Sequence, residues 1–327
     1  MRKKQLLTGV TAAAGIIILI LDGRTAVSGA QNGIDLCIRT VIPSLFPFLF
    51  LSVLLTGSLY GNSIPFLKAA SKWFDMPEGS EVLLISGFLG GYPAGAQAVA
   101  FAYQGNYLDK KSANRLLMFC NNAGPAFLFG MISGQFPKIS DTVVLWLIHI
   151  LSAFCVSALF PPTKTSDVIC LPKKETTIDS AIRTSVQIMA TICSWIILFR
   201  ILLDFMDRWY LWRFPAHIQV IINGIFELSN GICLLNAITN IDFRFVICSA
   251  MLAWGGLCVT LQTMSVIGPL SVKTYLKGKS VQTVISIIFS ISVCLKIWIP
   301  VAVLFSFLLI LHRKFQKSCS NPATVVV

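Results

Sequence analysis

Nine long apolar stretches, separated by short polar or basic segments, run along the chain at 6–21, 41–60, 82–104, 113–134, 142–160, 181–203, 218–238, 245–267 and 281–312. A helix needs about 20 apolar residues to cross the hydrocarbon core of a bilayer, and most of these windows supply that length. The last window is long enough for two short helices, broken near Lys296 and Pro300. The pattern predicts an all-α, polytopic membrane protein with about eight transmembrane helices plus broken or re-entrant segments.

Composition points the same way. Hydrophobic residues make up 55% of the 327 and charged residues only 12%. A soluble domain of that length cannot hide so much apolar surface. The net charge of +12 comes from Lys and Arg in short loops and tails: residues 2–4, Lys68, Lys72, Lys110, Lys111, Arg115, Lys164, Lys173, Lys174, Lys273, Lys277, Lys279, Arg313, Lys314 and Lys317. Such charges set orientation and meet anionic lipid headgroups. No basic stripe with interleaved aromatics occurs, so nucleic acid is not an expected partner. The bias predicts a multi-pass protein of the cell membrane with both termini and the 162–179 loop cytoplasmic.

Of the 10 cysteines, most sit in or beside apolar windows at irregular spacing, with no CxxC and no Cys/His pair at ligand spacing. They read as small hydrophobic fillers, not as a disulfide scaffold or metal site. The basic N-terminus and its apolar run are read as an uncleaved first helix. A cleavable signal peptide, with Ala26-Val27-Ser28 as its small-residue site, is the other reading.

Three short matches recur in the same order in both halves. Ile34-Asp35-x-x-Ile38-Arg39-Thr40 returns as Ile178-Asp179-x-x-Ile182-Arg183-Thr184, Gly90-Gly91 with Gln97 as Gly255-Gly256 with Gln262, and Leu108-x-x-Lys111-Ser112 as Leu276-x-x-Lys279-Ser280. Their collinearity points to an internal duplication: an anchor helix at 1–33, a first repeat at 34–161, a polar loop at 162–179, a second repeat at 180–312 and a basic tail at 313–327. Repeats of this kind are the usual architecture of secondary transporters, with the substrate site between them, although duplicated folds also serve as gates or scaffolds. Every basic segment can be cytoplasmic if both Gly-Gly segments are re-entrant. Arg39 and Arg183 then begin oppositely directed helices, as in an inverted repeat. A spanning 218–238 segment would, however, bring both Gly-Gly segments in from one side.

Three segments carry candidate chemistry. Gly90-Gly91-Tyr92-Pro93, followed by Gln97, interrupts an apolar run; Gly and Pro there free backbone groups at membrane depth, and the proline favours a broken helix over the other reading, a Gly-rich packing face. Asn121-Asn122-Ala123-Gly124-Pro125 is a second break. Adjacent asparagines in a span need hydrogen-bond partners or a ligand, and the half-helix after Pro125 would turn a positive dipole end toward the cavity. Glu227 and Asn230 form the third, with an intramembrane acid that could carry a coupling proton, coordinate a cation or pair with a buried Arg. With Gly255, Gly256 and Gln262 these make up the candidate substrate site. His149 reads as a packing histidine, and Arg200, Asp204 and Arg208 as an intrahelical salt bridge at a membrane edge. No Walker loop, Ser/His/Asp set or HExxH motif occurs, so no catalytic residue, metal or cofactor is assigned and the chain is not read as an enzyme.

On these segments (39–48, 87–96, 119–125, 226–231 and 254–256) the chain resembles the YlbJ-like family of sporulation integral membrane proteins, within the nucleoside-recognition (Gate) domain superfamily. The resemblance implies a membrane protein of endospore-forming Gram-positive bacteria and a fold shared with nucleoside transporters and ferrous-iron permeases. Together these readings suggest a transporter or permease of a small polar or anionic metabolite, with dipicolinate a candidate. The alternative is a non-transporting scaffold or assembly factor bound to sporulation membrane partners.

Overall fold

The computed structural model describes residues 2–60, 76, 79–160, 171 and 176–297. The 313–327 tail, most of the 162–179 loop, Lys68, Lys72 and Pro300 lie outside the described residues. Among those described, every regular element is helical. Five helical segments are long and apolar enough to cross a bilayer: Gly23–Leu59, Ile139–Leu159, Ile178–Trp209, Ile241–Val266 and Val272–Cys294. They make the protein an integral, multi-pass membrane protein.

The chain starts with α1 (Arg2–Leu21) and α2 (Gly23–Leu36), which passes through a π turn (Cys37–Val41) into α3 (Ile42–Leu59). Two short helices follow, α4 (Glu81–Leu89) and α5 (Ala94–Gln104), then α6 (Lys110–Leu117), α7 (Pro125–Phe127, extended by turns to Gln135) and α8 (Ile139–Leu159). The second half runs α9 (Ile178–Trp209), α10 (Ala216–Phe226), α11 (Leu228–Cys233), α12 (Ile241–Trp254), α13 (Gly256–Val266) and α14 (Val272–Cys294). Side-chain caps define several starts. Asp109 accepts from the amides of Lys111 and Ser112, Thr177 from Ser180, Asn240 from Phe243 and Ser271 from Thr274, each satisfying N–H groups that have no partner within the helix.

Helices of 9 and 11 residues (α4 and α5) reach only about half-way across a bilayer at 1.5 Å per residue. They fold back on each other as a hairpin: a Cβ on Gly95 would lie 2.7 Å from the Gly87 Cα. α10 and α11 make a second hairpin, where a Cβ on Gly231 would overlap the Gly224 Cα. So windows 82–104 and 218–238 do not span. Each half therefore reads long helix, half-depth hairpin, interrupted helix, final long helix: α2–α3, α4/α5, α6–α7, α8, and then α9, α10/α11, α12–α13, α14.

Contacts define two ends of the bundle. At one, Arg115 donates to the carbonyls of Phe160 and Ser157, the Ser271 amide to Asn114, and the Tyr60 and Phe101 rings pack at 6.1 Å. At the other, Arg244 donates to the Gln135 carbonyl, Arg208 pairs with Asp22 at 2.8 Å, and His217 packs on Phe243. α5 ends at the first and α10 begins at the second, so the hairpins enter from opposite ends. A Cβ on Gly57, near the end of α3, would collide with Thr176, just before α9; α3 and α9 therefore run antiparallel.

Several expectations change. The 218–238 segment does not span, so both hairpins need not enter from one side. Gly255-Gly256 kinks a 26-residue span and is not re-entrant; its counterpart by element order is the Asn121–Pro125 break, not Gly90-Gly91. The third match also falls out of step, with Lys111 exposed in the first turn of α6 and Lys279 buried in the third turn of α14. Arg39 sits in the π turn between α2 and α3 and does not begin a helix. Arg200 pairs with Asp204 within α9 at 2.8 Å, but Arg208 pairs across to α2.

Candidate functional site

All four interruptions converge. Gly91 (φ +75°) turns the first hairpin, and a Cβ there would lie 3.2 Å from the Gly124 amide in the α6–α7 break. Gly256 (φ +88°) lies against the second tip, where a Cβ would be 3.2 Å from the Phe226 carbonyl and 3.3 Å from the Leu228 amide. Each tip thus packs on the break of its own half, in left-handed backbone that favours glycine. Tyr92 links the halves by donating to the Leu252 carbonyl at 3.2 Å.

Between them lies a cavity of about 60 Å³ lined by Gly90, Gly91, Tyr92, Gly124, Glu227, Ser229 and Gln262 among apolar side chains. Few polar groups on an apolar wall is the usual make-up of a small-molecule site. Gln97 lies elsewhere, in a second cavity of about 280 Å³ that it shares with Ser52, Thr56, Ser86, Ser180 and Thr184. Leu49 and Gly90 border both cavities.

The asparagines, prolines and Gly255 expected at the site shape the elements around the cavity, and Glu227, on its wall, is held by donors. Asn121 accepts from the Ala96 amide and donates to Thr263 Oγ1 at 3.0 Å, tying α5 to α13. Asn122 donates to the Phe119 carbonyl and accepts from Lys279 and Gln282. Both asparagines are fully buried. Pro93 precedes α5, Pro125 opens α7, and Gly255 (φ +79°) ends α12. Glu227 caps α11: Oε1 accepts from the Ser229 amide at 3.0 Å, and Oε2 from the Asn230 amide and Nδ2 at 2.7 and 2.8 Å. Asn230 in turn accepts from Arg200, so the acid meets the Arg only through an amide.

Gln262 differs from these. It is 3% exposed and borders the cavity, and among the described residues the one hydrogen bond of its side chain is from Nε2 to Cys258 Sγ at 3.3 Å. Its Oε1 is available to a cavity occupant.

Two residues depart from the sequence reading. Lys279, which belongs by sequence to a cytoplasmic basic loop, is completely buried and donates to Gln282 Oε1 at 2.8 Å, Asn122 Oδ1 at 3.1 Å and Tyr92 Oη at 3.3 Å. Helical spacing is the signal that separates it: Lys273 and Lys277 share a face of α14 and Lys279 does not. His149 packs, as expected, but its Nε2 also accepts from the Ala123 amide at 3.1 Å and so holds the α6–α7 break.

Among curated proteins, the chain is similar to the "Sporulation integral membrane protein YlbJ" of Bacillus subtilis (strain 168). The two are 23% identical over 304 residues, covering 78% of this chain and 74% of the relative. That similarity supports a YlbJ-like family assignment. No family model matches the chain. No solved structure matches it either.

Proposed function

We propose that the chain is a sporulation membrane protein that acts as a transporter or permease for a small polar or anionic metabolite. The observation that carries this reading is the convergence of two half-depth hairpins and two interrupted spans on one cavity. Interrupted backbone at membrane depth is tolerated where it is buried in protein or lines a cavity, and transporters place their sites at such breaks. Opposed hairpins and antiparallel α3 and α9 support an inverted duplication with units near 34–161 and 180–312. The family resemblance extends this to a Gate-like fold.

Glu227 puts a carboxylate on the cavity wall. Its charge is met by three donors, and the Lys279 ammonium stands behind Tyr92 of the same cavity lining, so an anion remains compatible. Dipicolinate is the candidate, on the strength of the family resemblance. The end bearing Lys110, Lys111, Arg115, Lys273 and Lys277 is assigned to the cytoplasm of the cell.

The rival scaffold role draws on a specific observation: Asn121, Asn122 and Glu227 all have protein partners and need no ligand. Deletion separates the two. Transport predicts that one metabolite changes its distribution between cell compartments on deletion, and that Gln262→Leu reproduces the change at normal protein level. A deletion defect that Gln262→Leu does not share supports the scaffold.

A further inference from the structure

A lysine buried at membrane depth is costly unless its charge is met. Among the described residues no carboxylate pairs with Lys279. Its three neighbours are neutral, and their hydrogens are committed elsewhere. Tyr92 donates to the Leu252 carbonyl. Asn122 Nδ2 donates to the Phe119 carbonyl. Gln282 Nε2 donates to Asn122 Oδ1 and the His149 carbonyl. Only acceptors therefore face Nζ, and three acceptors match the three N–H bonds of an ammonium.

A neutral amine in that cradle would have two N–H bonds and a lone pair with no donor. Tyr92 is the neighbour that can supply one, by turning its O–H from the Leu252 carbonyl to Nζ. That rotation breaks the hydrogen bond tying the first hairpin tip to α12. The other titratable groups near Nζ are Cys120 and His149, and Tyr275, on the same helix, lies near Tyr92. None of these donates to Nζ or accepts from it.

We propose that Lys279 is the protein's proton-coupling site, in which the protonated amine latches the Tyr92 tip shut against α12 and loss of the proton to water frees it. This rests on the transport reading and moves the coupling proton from Glu227, whose oxygens are held by donors, to Lys279.

The test reads the latch directly and needs no cargo. Ala126 is buried and lines the cavity. Ala126→Cys in reconstituted full-length protein is treated with a small charged methanethiosulfonate between about pH 6 and 9, and modification at 126 is followed by mass spectrometry. Lys279→Arg, permanently charged, reports the thiol's own pH dependence. Relative to it, the Lys279 protein should gain about tenfold in rate as pH rises, as when an open state of a few per cent becomes dominant. Lys279→Met should label fast at every pH, and His149→Gln should keep the titration. Parallel profiles for Lys279 and Lys279→Arg overturn the proposal, as does titration surviving in Lys279→Met. Should Lys279→Met not fold, the comparison with Arg alone decides. A titrating latch in a protein that moves no cargo would overturn the transport reading and leave the proton site standing.

Discussion

Replacing Glu227 with Gln exchanges one carboxylate oxygen for an NH2 where three N–H donors converge. Whichever way the amide turns, at least one buried donor of α11 loses its acceptor and meets another donor. A buried unsatisfied group costs about 1–3 kcal/mol, and loss of a side-chain cap about 1 kcal/mol, with overlap between the two. We expect about 2–3 kcal/mol, all of it local to the second hairpin tip. At tenfold per 1.4 kcal/mol this is about a 30- to 150-fold increase in opening. Hydrogen exchange of peptides covering 224–236 in detergent should show that loss of protection, with peptides of α8 and α9 unchanged. Glu227→Asp, itself a good capping residue, should recover most of the protection. Wild-type protection in Glu227→Gln would refute the cap and return Glu227 to a purely cargo-related role.

Alanine at both Asn121 and Asn122 should lower the thermal unfolding temperature in detergent, because Lys279, Gln282 and the Ala96 amide lose acceptors; unchanged unfolding would mean the asparagines face a ligand instead. Gly91→Ala, forced to φ +75°, should destabilise by about 1–2 kcal/mol, read as a lower unfolding temperature than in Gly134→Ala, where a Cβ meets nothing. A cysteine at Lys110 should react with impermeant reagent only from the cytoplasm and one at Trp212 only from outside; the reverse would invert the topology. Burial works to raise the Asp109 carboxyl, but hydrogen bonds from the Ser112 hydroxyl and the amides of Ser112 and Lys111 outweigh it and hold its pKa below the usual value. The cap is therefore fully present above about pH 4, the unfolded carboxylate range, and is lost as pH falls through the lower folded value; exchange in the first turn of α6 should rise only in that acid range.

The breaks themselves were legible in the sequence, because Gly, Pro and paired Asn within an apolar run each weaken a continuous spanning helix. Which windows span was not. Window 218–238 is as apolar as a true span, and only the Gly224–Gly231 approach, a tertiary fact, shows that the chain doubles back there. The recurrence at Ile34 and Ile178 suggested a duplication, but the other short identities do not pair in element order. Gly90-Gly91 and Gly255-Gly256 look alike because both need left-handed backbone, although one turns a hairpin and the other kinks a span. Asn121 and Asn122 read as ligand-facing because their protein partners, Thr263, Lys279 and Gln282, are more than a hundred residues away. Lys279 was hidden by its exposed neighbours Lys273 and Lys277, since a basic run next to a span usually marks a loop.

Flux of labelled dipicolinate into proteoliposomes, wild type beside Gln262→Leu, tests the transport claim most directly. Leu keeps the volume and gives up only the weak bond to Cys258, so the variant should unfold at the wild-type temperature. Transport through this cavity predicts saturable wild-type uptake and at least about a tenfold loss in Gln262→Leu, the value of one buried hydrogen bond to cargo. Wild-type flux no greater than in protein-free vesicles, or equal flux in the two proteins, would contradict it.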